Sequence, residues 1–199
     1  MKDGVYKCIV GRLRRYTAFQ KSLISDGFDV GIQSTFWDFS IEFYSEPSVS
    51  RVCIELQDAL GVDVNVLLFV LWCSNKRRKL SEQELTQVAV SAHDWQSNVV
   101  KPLRGVRRFL KQCYAVSEPA ATGDLREAIK KLELEAERMQ QSALSSEFSD
   151  VGTAVAEVDV ALDLNISLYQ NFLHAKFTTS QVAVLAGRLD FICRGGEGP

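Results

Sequence analysis

Residues 35–73, TFWDFSIEFYSEPSVSRVCIELQDALGVDVNVLLFVLWC, specify three short helices that must pack on one another. Thr35 stands at an N-cap, with Asp38 three residues on to return the hydrogen bond, and Phe36, Trp37, Phe39, Ile41, Phe43 and Tyr44 follow. This aromatic-rich helix must stop before Pro47, whose ring restricts the preceding residue. Ser48 can cap a second helix with Val52, Cys53, Leu56, Ala59 and Leu60 on its apolar side, and Gly61 closes it as a C′ glycine. Asp63 can cap the third, in which Val64 and residues 66–73 are apolar on every side, interrupted only by Asn65. A helix apolar all round is a central one. It has about half the roughly 20 residues of a membrane span, and Asn75, Lys76, Arg77, Arg78 and Lys79 end it abruptly.

Working outward from this stretch, Ser81 and Glu84 form a capping box that opens a fourth helix through Leu85, Val88, Ala89 and Ala92. Pro102 marks a kink or a new helix start, followed by Leu103, Val106 and Leu110 on one side and Lys101, Arg104, Arg107, Arg108 and Lys111 on another. The segment AVSEPAATG, residues 115–123, has a turn composition. From Leu125, apolar Leu125, Ile129, Leu132, Ala136, Met139 and Ala143 step by four and three alternately. That is the seam of an antiparallel hairpin or coiled-coil pair. Glu133, Glu135 and Glu137 on this helix are candidate neighbours of the basic one. A Ser/Asp/Gly turn at 145–152 precedes helices from about Thr153 to Phe177 and from about Ser180 to Cys193, the latter with a Thr178/Gln181 capping box. Residues 1–34, with the basic stretch GRLRRY, read as a loose arm, and Gly195, Gly196 and Gly198 as a flexible tail.

A chain of 199 residues can bury one good core. With 46% hydrophobic and 24% charged residues it has an ordinary globular composition, and a net charge of −2 argues against a dedicated nucleic-acid binder without excluding a local basic patch. Cys8, Cys53, Cys73, Cys113 and Cys193 are odd in number and irregularly spaced, as buried thiols are, so a reducing cytoplasm is the simplest compartment.

The motifs FWDFSIEFY, LQDALGVDVNVLLFVLW, VVKPLRGVRRFLK and LRE…KKLELEAERMQQ, in that order over roughly residues 36–147, resemble a small uncharacterised proteobacterial protein family classed as a domain of unknown function. The resemblance implies a small all-helical cytoplasmic protein. It implies no activity and carries over no catalytic residues.

Candidate sites compete with blander readings. Asp159 and Asp163, with Glu157 near them, repeat the D-x-x-x-D pattern of helical Mg²⁺-diphosphate sites, but the only facing motif is the looser set of Glu133 and Glu137. A solvated acidic face is the simpler reading. A bridged di-metal site wants Glu-x-x-His twice, and neither His93 nor His174 has that glutamate, so no metal or cofactor is expected. His93 and Asp94 could orient a base toward Cys73 or Cys113, though nothing in the sequence brings them together. Lys101, Arg104, Arg107, Arg108 and Lys111 put five cations in eleven residues, a candidate docking face unless the following glutamates neutralise it. Trp37, Asn65, Trp72, His93 and Trp95 are the candidate lining of a pocket, with core packing as the alternative.

The expectation is therefore an all-α, compact bundle of six or seven helices: an arm over 1–34, a helical core over 35–147 and a C-terminal helical pair over 148–199 that packs on the core or dimerises. The leading functional reading is a non-enzymatic interaction or regulatory module that docks another protein through the basic helix. The alternatives are a small-molecule-binding protein or enzyme with a Trp- and His-lined pocket, and a weaker nucleic-acid or ribosome contact.

Overall fold

The computed structural model describes residues 35–112 and 119–195. The arm over 1–34, most of the expected tail, Cys8 and Cys113 lie outside the described residues. Helix α1 (Phe36–Tyr44) opens on the Thr35/Asp38 capping box, with Asp38 N–H donating to Thr35 Oγ1 at 3.2 Å and Thr35 N–H donating to Asp38 Oδ2 at 3.1 Å. Helix α2 (Pro47–Leu60) is capped two residues earlier than expected. Glu46, not Ser48, is the N-cap, because Pro47 fits the first helical position, where an N–H would have no intrahelical partner. Gly61 ends it in the left-handed conformation, φ 69°. Helix α3 (Val64–Asn75) starts from the Asp63 cap and is buried from Asn65 to Ser74.

The aromatic side of α1 closes on α3: the Phe36 ring lies 5.5 Å from Phe69, edge-on, and 5.2 Å from Trp72. Strand β1 (Arg78–Lys79) pairs antiparallel with β2 (Thr153–Ala154), so the helix expected from Thr153 starts only at Val158. The intervening segment is needed as a strand, because Arg78 donates to the carbonyls of Val151 and Asp150 at 2.6 and 2.8 Å.

Helix α4 (Glu82–Trp95), a π-helical turn (Gln96–Val100) and α5 (Lys101–Gln112) form one interrupted rod. The cause is Pro102. It has no N–H to offer the Asn98 carbonyl, and its ring crowds the preceding turn. The rod widens instead of breaking: Lys101 N–H reaches back five residues to Gln96 O, and the Asn98 side chain donates to the Asp94 carbonyl at 2.8 Å. Helix α6 (Pro119–Glu147) begins six residues before Leu125, inside the segment expected to be a turn. Helices α7 (Val158–Phe172) and α8 (Thr179–Cys193) follow, the last opened by the Thr178/Gln181 capping box.

Counting residues 82–112 as one rod, the described residues form an all-α bundle of seven helices with a single two-stranded ladder. Helix α3 is its axis and packs most extensively on α7. Leu162, Ile166, Tyr169, Phe177, Leu185 and Leu189 of the C-terminal part join the same hydrophobic cluster as α1 to α4. Asn165, fully buried on α7, ties it to the β1 region. Its amide donates to Arg78 O (2.8 Å) and Ser74 Oγ (3.0 Å), and its oxygen accepts from Leu80 N–H (2.8 Å). No helix among the described residues is long and apolar enough to cross a membrane.

Candidate functional site

The α5–α6 hairpin differs from the rest of the bundle in how it is held. No side chain from Lys101 to Lys111 is buried, and none belongs to the central hydrophobic cluster. Ion pairs tie α5 to α6, beside the half-buried Leu103 and Leu110. Arg104 donates to Glu133 at 3.0 Å and to Glu137 at 2.8 Å, and Arg107 donates to Glu133 through both Nε and Nη2. Glu133 is only 1% exposed. Burial disfavours the Arg104 charge, but the Glu137 and Glu133 carboxylates outweigh it and hold its pKa above the ordinary guanidinium value. Of the five cations singled out in the sequence, Arg104 and Arg107 thus turn inward. Lys101, Arg108 and Lys111 face solvent, with Arg108 only loosely approached by Asp58 at 3.5 Å. Glu135 pairs with Arg138 on its own helix instead of with α5.

The register of α6 is opposite to the one its apolar spacing suggested. Toward the bundle it turns Lys130, Glu133, Leu134, Ala136, Gln140, Gln141 and Leu144, all buried, as is Phe148 just past its end. The expected seam faces outward: Leu125, Leu132 and Met139 are 52%, 58% and 49% exposed, Ala143 is exposed, Ile129 is half-buried, and only Ala136 is covered. Distant partners hold the two glutamines on the inner face, although Gln141 Oε1 itself accepts from no donor among the described residues. Asn65 Nδ2 donates to Gln140 Oε1 at 2.5 Å, Gln141 Nε2 donates to Asn65 Oδ1 at 2.8 Å, and Gln140 Nε2 donates to Ala92 O at 2.9 Å. Leu125, Leu132 and Met139, spaced by seven, therefore make a stripe about 21 Å long on the solvent side of a 29-residue helix. On the back of α5, Val106 and Phe109 are also exposed.

The five candidate pocket residues occupy different places. Trp72 is buried in the aromatic cluster with Lys76 Nζ 3.7 Å above its ring, Asn65 is in the amide ladder, and the Trp95 indole donates to Ala136 O at 2.9 Å. Trp37 is half-buried on α1. Of the five, His93 lines an open groove of about 530 Å³ bounded by the end of α2, the head of α3, the C-terminal half of α4, the π-helical turn, α5 and the end of α7. Lys101, Arg104 and Arg108 line it too, while no described α6 side chain does. Asp63, at its edge, has its carboxyl pushed up by burial against the pull of the Val66 and Asn65 amides and of Arg104 and Lys101. Gln96 also lines it, 4% exposed, with a side-chain oxygen that has no hydrogen-bond partner among the described residues. Sequence reasoning missed Gln96. Its only signal was Pro102 six residues on, which announces an irregular helix there.

Among the described residues no cluster of three or more His, Cys, Asp or Glu side chains is arranged to hold a metal. Asp159 and Asp163 are exposed on α7, and Glu133 and Glu137 are engaged by Arg104. Cys53 and Cys73 are free thiols that burial pushes up to about 12, and so they are not thiolates at neutral pH.

No curated protein matches the chain, and no solved structure matches it. At the family level residues 35–144 match the family described as protein of unknown function, DUF2390. That span runs from the α1 cap through the α5–α6 hairpin to the buried Leu144 near the end of α6, and covers more than half of the 199 residues. The chain belongs to this family.

Proposed function

We propose that the protein is a non-enzymatic helical interaction module that docks an α-helix of another protein along the solvent face of the α5–α6 hairpin. The observation that carries this reading is the heptad stripe Leu125, Leu132 and Met139, left open on a helix whose opposite face is fully used. Three large apolar side chains at seven-residue spacing supply one of the two positions per heptad that a facing helix packs against. Covering them would recover on the order of 1 kcal/mol each. The outward cations Lys101, Arg108 and Lys111 would add attraction for an acidic flank on the partner. Helix α5, tied to α6 by ion pairs and adding no side chain to the central hydrophobic cluster, can also adjust its angle on docking. Buried free thiols at Cys53 and Cys73 support a reducing compartment such as the cytoplasm.

The test is affinity capture of the tagged full chain from its own organism at low and high salt, with nuclease treatment, for the wild type and Leu132→Asp. Leu132 is exposed, so the substitution should leave folding intact within about 0.5 kcal/mol. The reading expects a nuclease-resistant, stoichiometric protein partner that Leu132→Asp removes. A partner retained by Leu132→Asp, or binding that disappears steeply with salt and with nuclease, contradicts it.

A further inference from the structure

The orphaned oxygen of Gln96 sits where three other features converge. Gln96 opens the π-helical turn and lines the groove, its side-chain oxygen lying just beneath the accessible surface with no donor among the described residues. A buried acceptor without a partner is a cost the fold carries, and π-turns recur where a helix serves a ligand. On the α5 wall, Lys101, Gly105 and Arg108 follow one another at i, i+4 and i+7 on one helix face, so the two cations stand about 10 Å apart along the axis. Between them Gly105 leaves a notch. A Cβ built there meets nothing within 4 Å. Lys101 forms no ion pair among the described residues, and Arg108 has only the exposed, 3.5 Å approach of Asp58. Both long side chains can fold over the notch onto one dianionic group, Lys as a point charge and Arg as a fork. At the mouth, the 39% exposed Phe172 ring is stacked on Tyr169 at 6.3 Å and offers a planar apolar surface.

We propose that this groove binds a nucleoside monophosphate: its phosphate over Gly105 between Lys101 and Arg108, its base against Phe172, and a base amino group donating to Gln96 Oε1 as the buried amide turns out to the groove. Each part of such a ligand answers one feature, and none of them involves the α6 stripe. The phosphate would displace the loose Asp58–Arg108 contact, while Arg104 stays with its glutamates. A bare anion would leave Gln96 unanswered, and an uncharged nucleoside would leave the cations unanswered.

The experiment is isothermal titration of the full chain with AMP, CMP and GMP, with inorganic phosphate and adenosine as separate arms, repeated for Gln96→Leu, Lys101→Met and Gly105→Leu. At least one nucleotide is expected to bind about tenfold or more tightly than inorganic phosphate or adenosine. Gln96→Leu should weaken it roughly tenfold by removing the acceptor, and Lys101→Met by a similar factor with a shallower salt dependence. Gly105→Leu, on an exposed helix face where nothing opposes the added side chain, should fold and block the notch. The melting temperature of each variant shows that it is folded, and the two substitutions at exposed positions keep the test open if Gln96→Leu does not fold. No nucleotide binding at millimolar concentration overturns the proposal. So does affinity no better than that of phosphate, or affinity indifferent to the substitutions in folded protein.

Discussion

Replacing Glu133 with Ala should detach α5 without unfolding the bundle. Glu133 is buried and accepts hydrogen bonds from both Arg104 and Arg107, whereas α5 contributes nothing to the apolar core. Removing one member of a buried ion pair costs about 3–5 kcal/mol, because the remaining charge is left uncompensated. Here the low end applies. The Arg104 and Arg107 side chains are 18% and 12% exposed, so water can reach them, and Arg104 keeps Glu137 at 2.8 Å. A loss of about 3 kcal/mol is comparable to much of a domain's total stability, but it falls on one helix whose attachment is local. Hydrogen–deuterium exchange read by mass spectrometry should show amides in residues 101–112 exchanging roughly 100-fold faster, while the α3 amides keep their protection. Glu133→Gln, which keeps the shape and one acceptor, should fall between. Unchanged protection in 101–112 would refute the idea that these ion pairs hold the hairpin. Uniform loss that includes α3 would refute the claim that the attachment is local.

Other consequences follow from single side chains. Gln96→Leu removes an unsatisfied buried acceptor, so the free protein should gain about 1 kcal/mol and melt roughly 2–4 °C higher; a lower melting temperature would mean the oxygen is bonded after all. Asp63 has a raised folded pKa, so its ionised form is the less stable one in the fold, and its contribution declines as pH rises from the ordinary carboxylate range through the folded value. Asp63→Asn keeps a capping oxygen without the charge; its advantage over wild type in urea melts should be present at pH 7 and shrink toward pH 4. Gly152 has φ +79° and its missing Cβ would lie 3.0 Å from Lys79 O, so Gly152→Ala should lower stability by about 2 kcal/mol by disrupting the β1–β2 ladder, measurable by thermal melting.

The capping residues Thr35, Asp63, Ser81 and Thr178 and the stop at Gly61 were readable because cap chemistry acts within three or four residues. The burial of α3 was equally legible from its unbroken apolar run. The orientation of α6 was not. Periodicity shows that a helix has an apolar stripe, but the side that faces the bundle depends on partners elsewhere in the chain. Gln140 and Gln141 go inward because Asn65 and Ala92 O await them across 48 to 76 residues, and Glu133 because Arg104 and Arg107 do. For the same reason the sequence offered five equivalent cations where the fold makes two kinds. The strand at Thr153 escaped notice because its partner is Lys79, and Gln96 because an unsatisfied acceptor is visible only once its surroundings are built.

The claim that the open face of α6 is the contact surface is tested most directly by site-specific photo-crosslinking in the native organism. Benzoylphenylalanine placed at Leu132, on the stripe, is compared with the same group at Val90, which is 67% exposed on α4. The account predicts one defined protein adduct from position 132, mapped to a helical segment of the partner, lost when Met139→Asp is added, and absent from position 90. No adduct at 132, or equal labelling at both positions, would contradict it.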